Sequence, residues 1–394
     1  MLESKRALPI LFAVMFLVMV GFGIIIPVLP FYAENIGASP LELGWLMAVY
    51  SLMQLLFAPV WGRVSDRIGR KPVIMIGILG LALSFFLMGL SSALWMLFAA
   101  RVIGGILSAA NMPTVMAYVA DITSAEDRGK GMGVVGAATG LGFVFGPAIG
   151  GVFSKMSLNM PFYIAGILSF ITFFLVLFVL KESLPKENRG FKNHEKSSMW
   201  AAIQGTQSVL YFLQLFISLS LSGLEATFAY FAAEKAGLGA AELGYIFMIM
   251  GFASAIVQGG LVGKMTKRFG EGFVIQIGII ISAIGFGLIL LVDNFTTAAI
   301  YLTIFGIGNG VIRPSVSALL TKTSSAGHGS TTGLLSSFDS MGRIAGPPLG
   351  GWLFNMTIGL PYISGIILSI LAFLLYRIYI IQEKKFLSIG NGGH

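Results

Sequence analysis

Gly62-Arg63-Val64-Ser65-Asp66-Arg67-Ile68-Gly69-Arg70-Lys71 places a dense knot of charge between two stretches that have almost none. Chains embedded in a membrane seldom put several basic residues and an acid into so short a connection, and glycines at both ends let two helices reverse tightly around it. On either side lie the apolar tracts 43–62 and 72–91, each near the roughly 20 residues that a helix needs to cross a 30 Å hydrocarbon core. Ten further tracts follow the same pattern: 8–30, 94–119, 130–153, 160–180, 205–231, 242–262, 272–292, 296–320, 329–353 and 359–381.

Composition agrees. Of the 394 residues, 56% are hydrophobic and 11% charged, against about 25% charged in a soluble domain. The chain reads as an all-α polytopic membrane protein of about twelve spans. A net charge of +8 raises nucleic acid as a partner, but the charges lie in connections between spans, which excludes it. With both termini placed on the cytoplasmic side, about twenty basic residues fall in the tails and inner connections, and only Lys155 and Lys235 fall outside. There is no cysteine, hence no disulfide framework and no thiolate metal site. Pro27 and Pro30 stand where a signal peptide would need small residues for cleavage, so the first tract is expected to remain as a span.

A repeat with an offset of about 200 residues organises the chain. Gly146-Pro147-Ala148-Ile149-Gly150-Gly151 returns as Gly346-Pro347-Pro348-Leu349-Gly350-Gly351, and the knot returns weakened as Gly263-Lys264-Met265-Thr266-Lys267-Arg268-Phe269-Gly270, with Lys267 in place of Asp66. The expected organisation is a bundle of six helices over 1–181, a polar cytoplasmic linker over 182–204, and a second bundle with a short tail over 205–394. Two parallel six-span halves around a midplane cavity allow alternating access by rocking.

The knot, the repeat, Arg101-Val102-Ile103-Gly104-Gly105 and the glycines from Gly136 to Gly151 together resemble the major facilitator superfamily of transporters. The stretch Gly136, Gly140, Gly146, Pro147, Gly150 and Gly151 is similar to the antiporter signature of its drug:proton antiporters with twelve spans. From end to end the chain resembles multidrug exporters of the NorA and Bmr type, with further matches at Gly23–Pro30 and Ile312-Arg313-Pro314. The resemblance implies two six-helix halves related by a pseudo-two-fold axis and proton-coupled export of lipophilic, often cationic drugs. It also implies residence in the bacterial cell membrane, no cofactor beyond the proton gradient, and partners limited to small lipophilic substrates, protons and the bilayer. Nothing in the chain demands more than a monomer.

Ionisable groups inside spans carry the sharper reading, since each costs roughly 2.5 to 3.5 kcal/mol near the bilayer centre. Five qualify: Arg101, Glu225, Arg313, Asp339 and Arg343. Glu225 lies among Leu221, Leu224, Phe228, Tyr230 and Phe231, and the NorA-type exporters carry a Glu at the matching position. Asp339 and Arg343 share one helix face at i,i+4, acid first, and are expected to neutralise each other. Proton coupling is expected at Glu225 and Arg101, which belong to different halves so that rocking changes their separation, with Asp339 and Arg343 as further candidates. The expected substrate cavity contains Glu225, Phe228, Tyr230, Gln54, Asn111, Arg313 and Phe143. For Arg313 the stronger expectation is a tether to backbone carbonyls freed by Pro314. Gly62, Asp66, Arg67, Gly69, Arg70 and Asp121 are expected to latch the cytoplasmic gate, through Asp121 or the end of span eleven. Gly136, Gly140, Gly146 and Gly150 are expected to let span five pack closely, and Pro147 to bend it.

One departure from the NorA-type pattern stands out: Gly310 occupies the position of an Asp three residues before the Arg of Ile-Arg-Pro. Other classes find little support. No phosphate-binding loop occurs, which argues against a primary pump, and Gly131-Met132-Gly133-Val134-Val135-Gly136 matches a dinucleotide fingerprint only by its letters, since no strand precedes it. His194, His328 and His394 lie in loops or the tail, so no metal or catalytic constellation is expected, and the chain does not read as an enzyme. The competing reading is a narrow metabolite or sugar carrier on the same fold, which would show more polar residues than Gln54, Asn111 and Gln258.

Overall fold

The computed structural model describes residues 2–124, 126–190, 207–323 and 328–390. Among them every regular element is helical. Twelve helices have membrane-spanning length: α1 Leu2–Ile25, α2 Pro40–Ile68, α3 Arg70–Gly89, α4 Leu94–Ile122, α5 Arg128–Ser154, α6 Met160–Val179, α7 Ser208–Ala236, α8 Ala240–Phe269, α9 Glu271–Ile289, α10 Phe295–Thr323, α11 His328–Met356 and α12 Leu360–Gly390. Eleven are apolar enough to cross a membrane by length and composition; α11, with Asp339, Arg343 and two prolines, is the polar exception.

Two expected boundaries shift. The first tract breaks after Ile25, and a short helix, Leu29–Asn35, follows with Pro30 in its first turn. The charged knot is mostly helix rather than loop: Gly62 through Ile68 form the last turns of α2, and Gly69 alone lies between α2 and α3. Gly69 has φ 108°, a conformation that side chains resist, and its hydrogen side faces the Glu182 carboxylate, where a Cβ would collide. Helix starts are capped locally. The Ser39 hydroxyl accepts a hydrogen bond from the Glu42 N–H at 3.3 Å, and the Ser39 N–H donates to the Glu42 carboxylate at 2.8 Å.

The chain divides into two compact units, Met1–His194 with Leu238–Gly251, and Glu195–Gly237 with Phe252–His394. In the first, α1 packs on α5 and α6, α3 on α4 and α6, and α2 on α4; in the second, α7 packs on α11 and α12, and α9 on α10 and α12. The same pairing order thus recurs in each half. Of the expected linker, 182–190 is seated against the α2–α3 junction, while 191–204 lies outside the described residues, as do His194 and His394.

Candidate functional site

Polar side chains in the first half gather on α2 and α4. The Arg101 guanidinium stands 5.0 Å over the Tyr50 ring, and Arg101 is only 6% exposed. Tyr50 and Ser108 share a hydroxyl hydrogen bond of 2.8 Å, to which the Gln54 amide donates at 3.2 and 3.4 Å. Phe22 tilts against Tyr50 at 5.7 Å and Phe143 meets Phe22 edge-on at 5.9 Å. The result is an arginine held by an aromatic face, with no acid bonded to it among the described residues. Asn111 does not join this group. It is 4% exposed and presses against Gly77 of α3, with both amide atoms unpartnered, so in this conformation it offers no surface to a substrate cavity.

At the α2–α3 junction Arg70 is the hub. Its guanidinium pairs with Asp66 at 2.7 Å and Asp121 at 2.9 Å and donates to the Ser65 hydroxyl at 2.7 Å. Glu182, from the segment after α6, accepts the Arg70 and Lys71 backbone N–H groups at 2.7 and 3.2 Å, placing a carboxylate at the N-terminus of α3. Ser183 donates to Asp121 at 3.1 Å and the Gly190 N–H to the Asp66 carbonyl at 3.2 Å. Asp66, Gly69, Arg70 and Asp121 therefore meet in one cluster within the first unit, with Glu182 as a member that sequence reasoning did not single out. Gly62 has open space about it, and Arg67 is exposed.

The second half holds the other cluster. Asp339 on α11 is 7% exposed. Its Oδ1 accepts from Gln214 at 2.9 Å and from Ser218, both on α7. Its Oδ2 faces Arg343 Nε at 3.3 Å and Arg313 Nη2 at 3.4 Å. Arg313 is thus tethered to a carboxylate of the neighbouring helix rather than to carbonyls freed by Pro314, because an ionised acid is the stronger acceptor for a guanidinium. Gln214, Ser218, Ser222 and Glu225 form a polar stripe along an apolar α7 at spacings of four, four and three, a signal readable in the sequence that marks Gln214 and Ser218 as one polar face without saying what they meet. Glu225 is half-buried; among the described residues it makes neither ion pair nor hydrogen bond, while its charge is felt by Arg343. The space that a side chain at Gly310 would occupy is taken by Gln258, whose Nε2 lies 2.7 Å from where the Cβ would stand. Gln258 sits in a π-helical turn, Val257–Val262, within α8.

The chain matches the sequence profile of the Major Facilitator Superfamily over residues 11–271 and 210–389. The chain belongs to that superfamily of transporters. Similar relatives include multidrug resistance protein 2 of Bacillus subtilis (strain 168), 32% identical with 97% of both chains covered. Quinolone resistance protein NorA of Staphylococcus aureus (strain MSSA476) is 28% identical over 92% of this chain and 93% of its own. Among solved structures, the human organic anion transporter MFSD10 superposes with a TM-score of 0.69 at 24% identity, covering 95% of this chain and 99% of that one. The nucleoside transporter NupG superposes with a TM-score of 0.78 at 15% identity, covering 96% and 99%. At these identities the structures speak for the fold alone.

Within this facilitator fold the glycines of α5 do not act alike. Gly146 and Gly150 meet the α1 backbone at Val20, Gly23 and Ile24, and Gly151 meets Gly244 of α8. Gly136 and Gly140, expected to do the same, have nothing within 4 Å; Gly142, against Phe16 and Met19, takes that role instead. For Gly140 the difference is one of helix face, since it stands roughly 160° around the helix from Gly142. Gly136 lies within about 40° of the face of Gly150 but about 20 Å from it along the axis, where no neighbouring side chain or backbone comes within 4 Å. Pro147 lies inside a continuous α5. Phe228 and Tyr230 also depart from expectation. Phe228 is fully buried, and Tyr230, 6% exposed, tilts against Phe354 at 6.1 Å, so neither lines a cavity in this conformation.

Proposed function

We propose that this facilitator exports lipophilic, often cationic drugs across the cell membrane in exchange for protons, with both termini cytoplasmic and Glu225 as the proton carrier. The observation that carries the reading is the contrast between two acids on adjacent helices. Asp339 is held by Gln214, Ser218, Arg313 and Arg343, whereas Glu225, near the middle of α7, has no bonded partner among the described residues. A membrane-embedded acid that is bonded to none of the described residues suits a group that exchanges its proton for a cationic ligand. The names of the relatives, multidrug resistance protein 2 and NorA, support export of drugs. Alternating access by rocking of the two halves supplies the transport step, and the proton gradient the energy.

Ethidium efflux from energised cells tests this. Wild type should export, a protonophore should stop export, and Glu225→Gln should abolish gradient-driven efflux while the protein still reaches the membrane. Undiminished efflux by Glu225→Gln would remove Glu225 from the mechanism, and no efflux by wild type would favour a narrow metabolite carrier.

A further inference from the structure

Lys264, Lys267 and Arg268 stand at i, i+3 and i+4 in Gly263–Phe269, the regular helical segment that ends α8, so the three share one face. All three are exposed, and no acid pairs with them among the described residues. Cations suit a helix C-terminus, but like charges at these spacings repel one another.

The corresponding residues of the first half, 201 positions earlier, are Arg63, Asp66 and Arg67, which put an acid at the centre of the same face. That acid bonds Arg70, and the segment after α6 closes on the corner, with the Gly190 N–H on the Asp66 carbonyl at 3.2 Å. In the second half a third cation stands in place of the acid. Glu271, the next acid along the chain, is held by Lys322, and its side chain is only 12% exposed. Three like charges therefore lie together with nothing among the described residues to balance them.

An apolar surface adjoins the cations. The Arg268 guanidinium stands 5.2 Å over the Phe269 ring, and Phe269 tilts against Phe273 of α9 at 4.9 Å. The two aromatic residues are 53% and 39% exposed. Because α8 has the length and apolarity of a span from Ala240 to Phe269, this end reaches the membrane surface. There Lys and Arg carry their charge out to the headgroups, and rings beside them meet acyl chains. A small soluble anion would use the charges and leave the rings in water. A phosphate over the cations, with acyl chains along the rings, uses both.

We propose that Lys264, Lys267, Arg268, Phe269 and Phe273 form a site for an anionic phospholipid of the phosphatidylglycerol class, with no equivalent in the first half. The site does not depend on what the protein exports.

Native mass spectrometry of the full-length protein in neutral detergent tests it, with phosphatidylglycerol and phosphatidylcholine supplied in equal amounts. Each Lys or Arg beside an anionic headgroup is worth about fivefold in affinity, so wild type should retain the glycerol lipid at least about tenfold over the choline lipid. Lys264→Gln should lower that ratio about fivefold, and adding Lys267→Gln and Arg268→Gln should bring it to one. Lys267→Asp, which copies Asp66, should remove most of the preference with a single exposed substitution. Arg63→Gln, the first-half counterpart of Lys264→Gln, should leave the ratio unchanged. Equal retention of the two lipids by wild type, an unchanged ratio in the triple variant and in Lys267→Asp, or an equal loss in Arg63→Gln would overturn the site. Inorganic phosphate separates the lipid from a free anion. If phosphate at the same concentration displaces phosphatidylglycerol, the rings contribute nothing and the lipid assignment falls; if only anionic lipid competes, it stands.

Discussion

At the start of α3, Arg70 pairs with Asp121 at the end of α4; 201 residues later, at the start of α9, Glu271 pairs with Lys322 at the end of α10. The positions repeat and the signs are exchanged. The loop glycines repeat as well, Gly69 at φ 108° and Gly270 at 82°, as do Gly37 at 92° and Gly237 at 62°. So do the close approaches of Gly146 and Gly150 to α1, and of Gly346 and Gly350 to α7. The middles of the spans diverge. Where Asp339 and Arg343 stand in α11, α5 has Thr139 and Phe143. The comparison teaches that the fold constrains backbone approach, left-handed turns and the presence of an ion pair, but neither the sign of that pair nor the chemistry of the span interiors.

Four experiments strain this comparison, and thermal melting of detergent-solubilised protein reads each of them. The largest effect should come from Gly150→Leu and its counterpart Gly350→Leu, since a Cβ at either would run into backbone of the neighbouring helix. Overpacking there should cost about 3 kcal/mol or prevent assembly. Gly136→Leu, with open space around it, should change stability by less than about 0.5 kcal/mol. Equal effects at 136 and 150 would mean that the backbone approach at Gly150 does not set the cost.

Next in size, Asp339→Leu should cost about 3 kcal/mol, because it strands two arginines, whereas Thr139→Leu should be close to neutral. A similar cost in both halves would show that the asymmetry is not where the stability lies. Third, Arg70→Glu should cost about 2 kcal/mol, by setting like charges against Asp66 and Asp121. Combining it with Asp66→Lys and Asp121→Lys copies the arrangement of Lys267, Glu271 and Lys322 and should recover most of that loss. No recovery would mean that sign matters at this end. The smallest effect belongs to Glu271→Gln, less than about 1 kcal/mol, since the Lys322 side chain is 64% exposed.

Much of the fold was legible along the chain. Span positions and the repeat follow from local rules of apolar length, and a tight reversal at the charged knot from its glycines; that the turn falls on Gly69 alone, with Gly62 through Ile68 still helical, did not show in the sequence. The Asp339–Arg343 pair was legible for the same reason, being one helical turn apart. Partners of Asp339 from other helices were not. Gln214 and Ser218 lie 125 and 121 residues from it, and no local pattern says which of many polar groups in the spans will meet. Nor did spacing alone tell Gly142 from Gly140, or show that Phe228 and Asn111 turn into the packing.

The sequence by itself determined an all-helical membrane protein in two homologous halves, because a backbone in lipid has to satisfy its own hydrogen bonds within apolar helices of one length. Only the tertiary structure decided which ionisable groups pair, that Asp339 collects Gln214, Ser218, Arg313 and Arg343, and that Glu225 bonds to none of the described residues. Those pairings depend on the rotation and depth of whole helices set by glycine contacts elsewhere, and a charge in a span is settled by what the neighbouring helix brings to it.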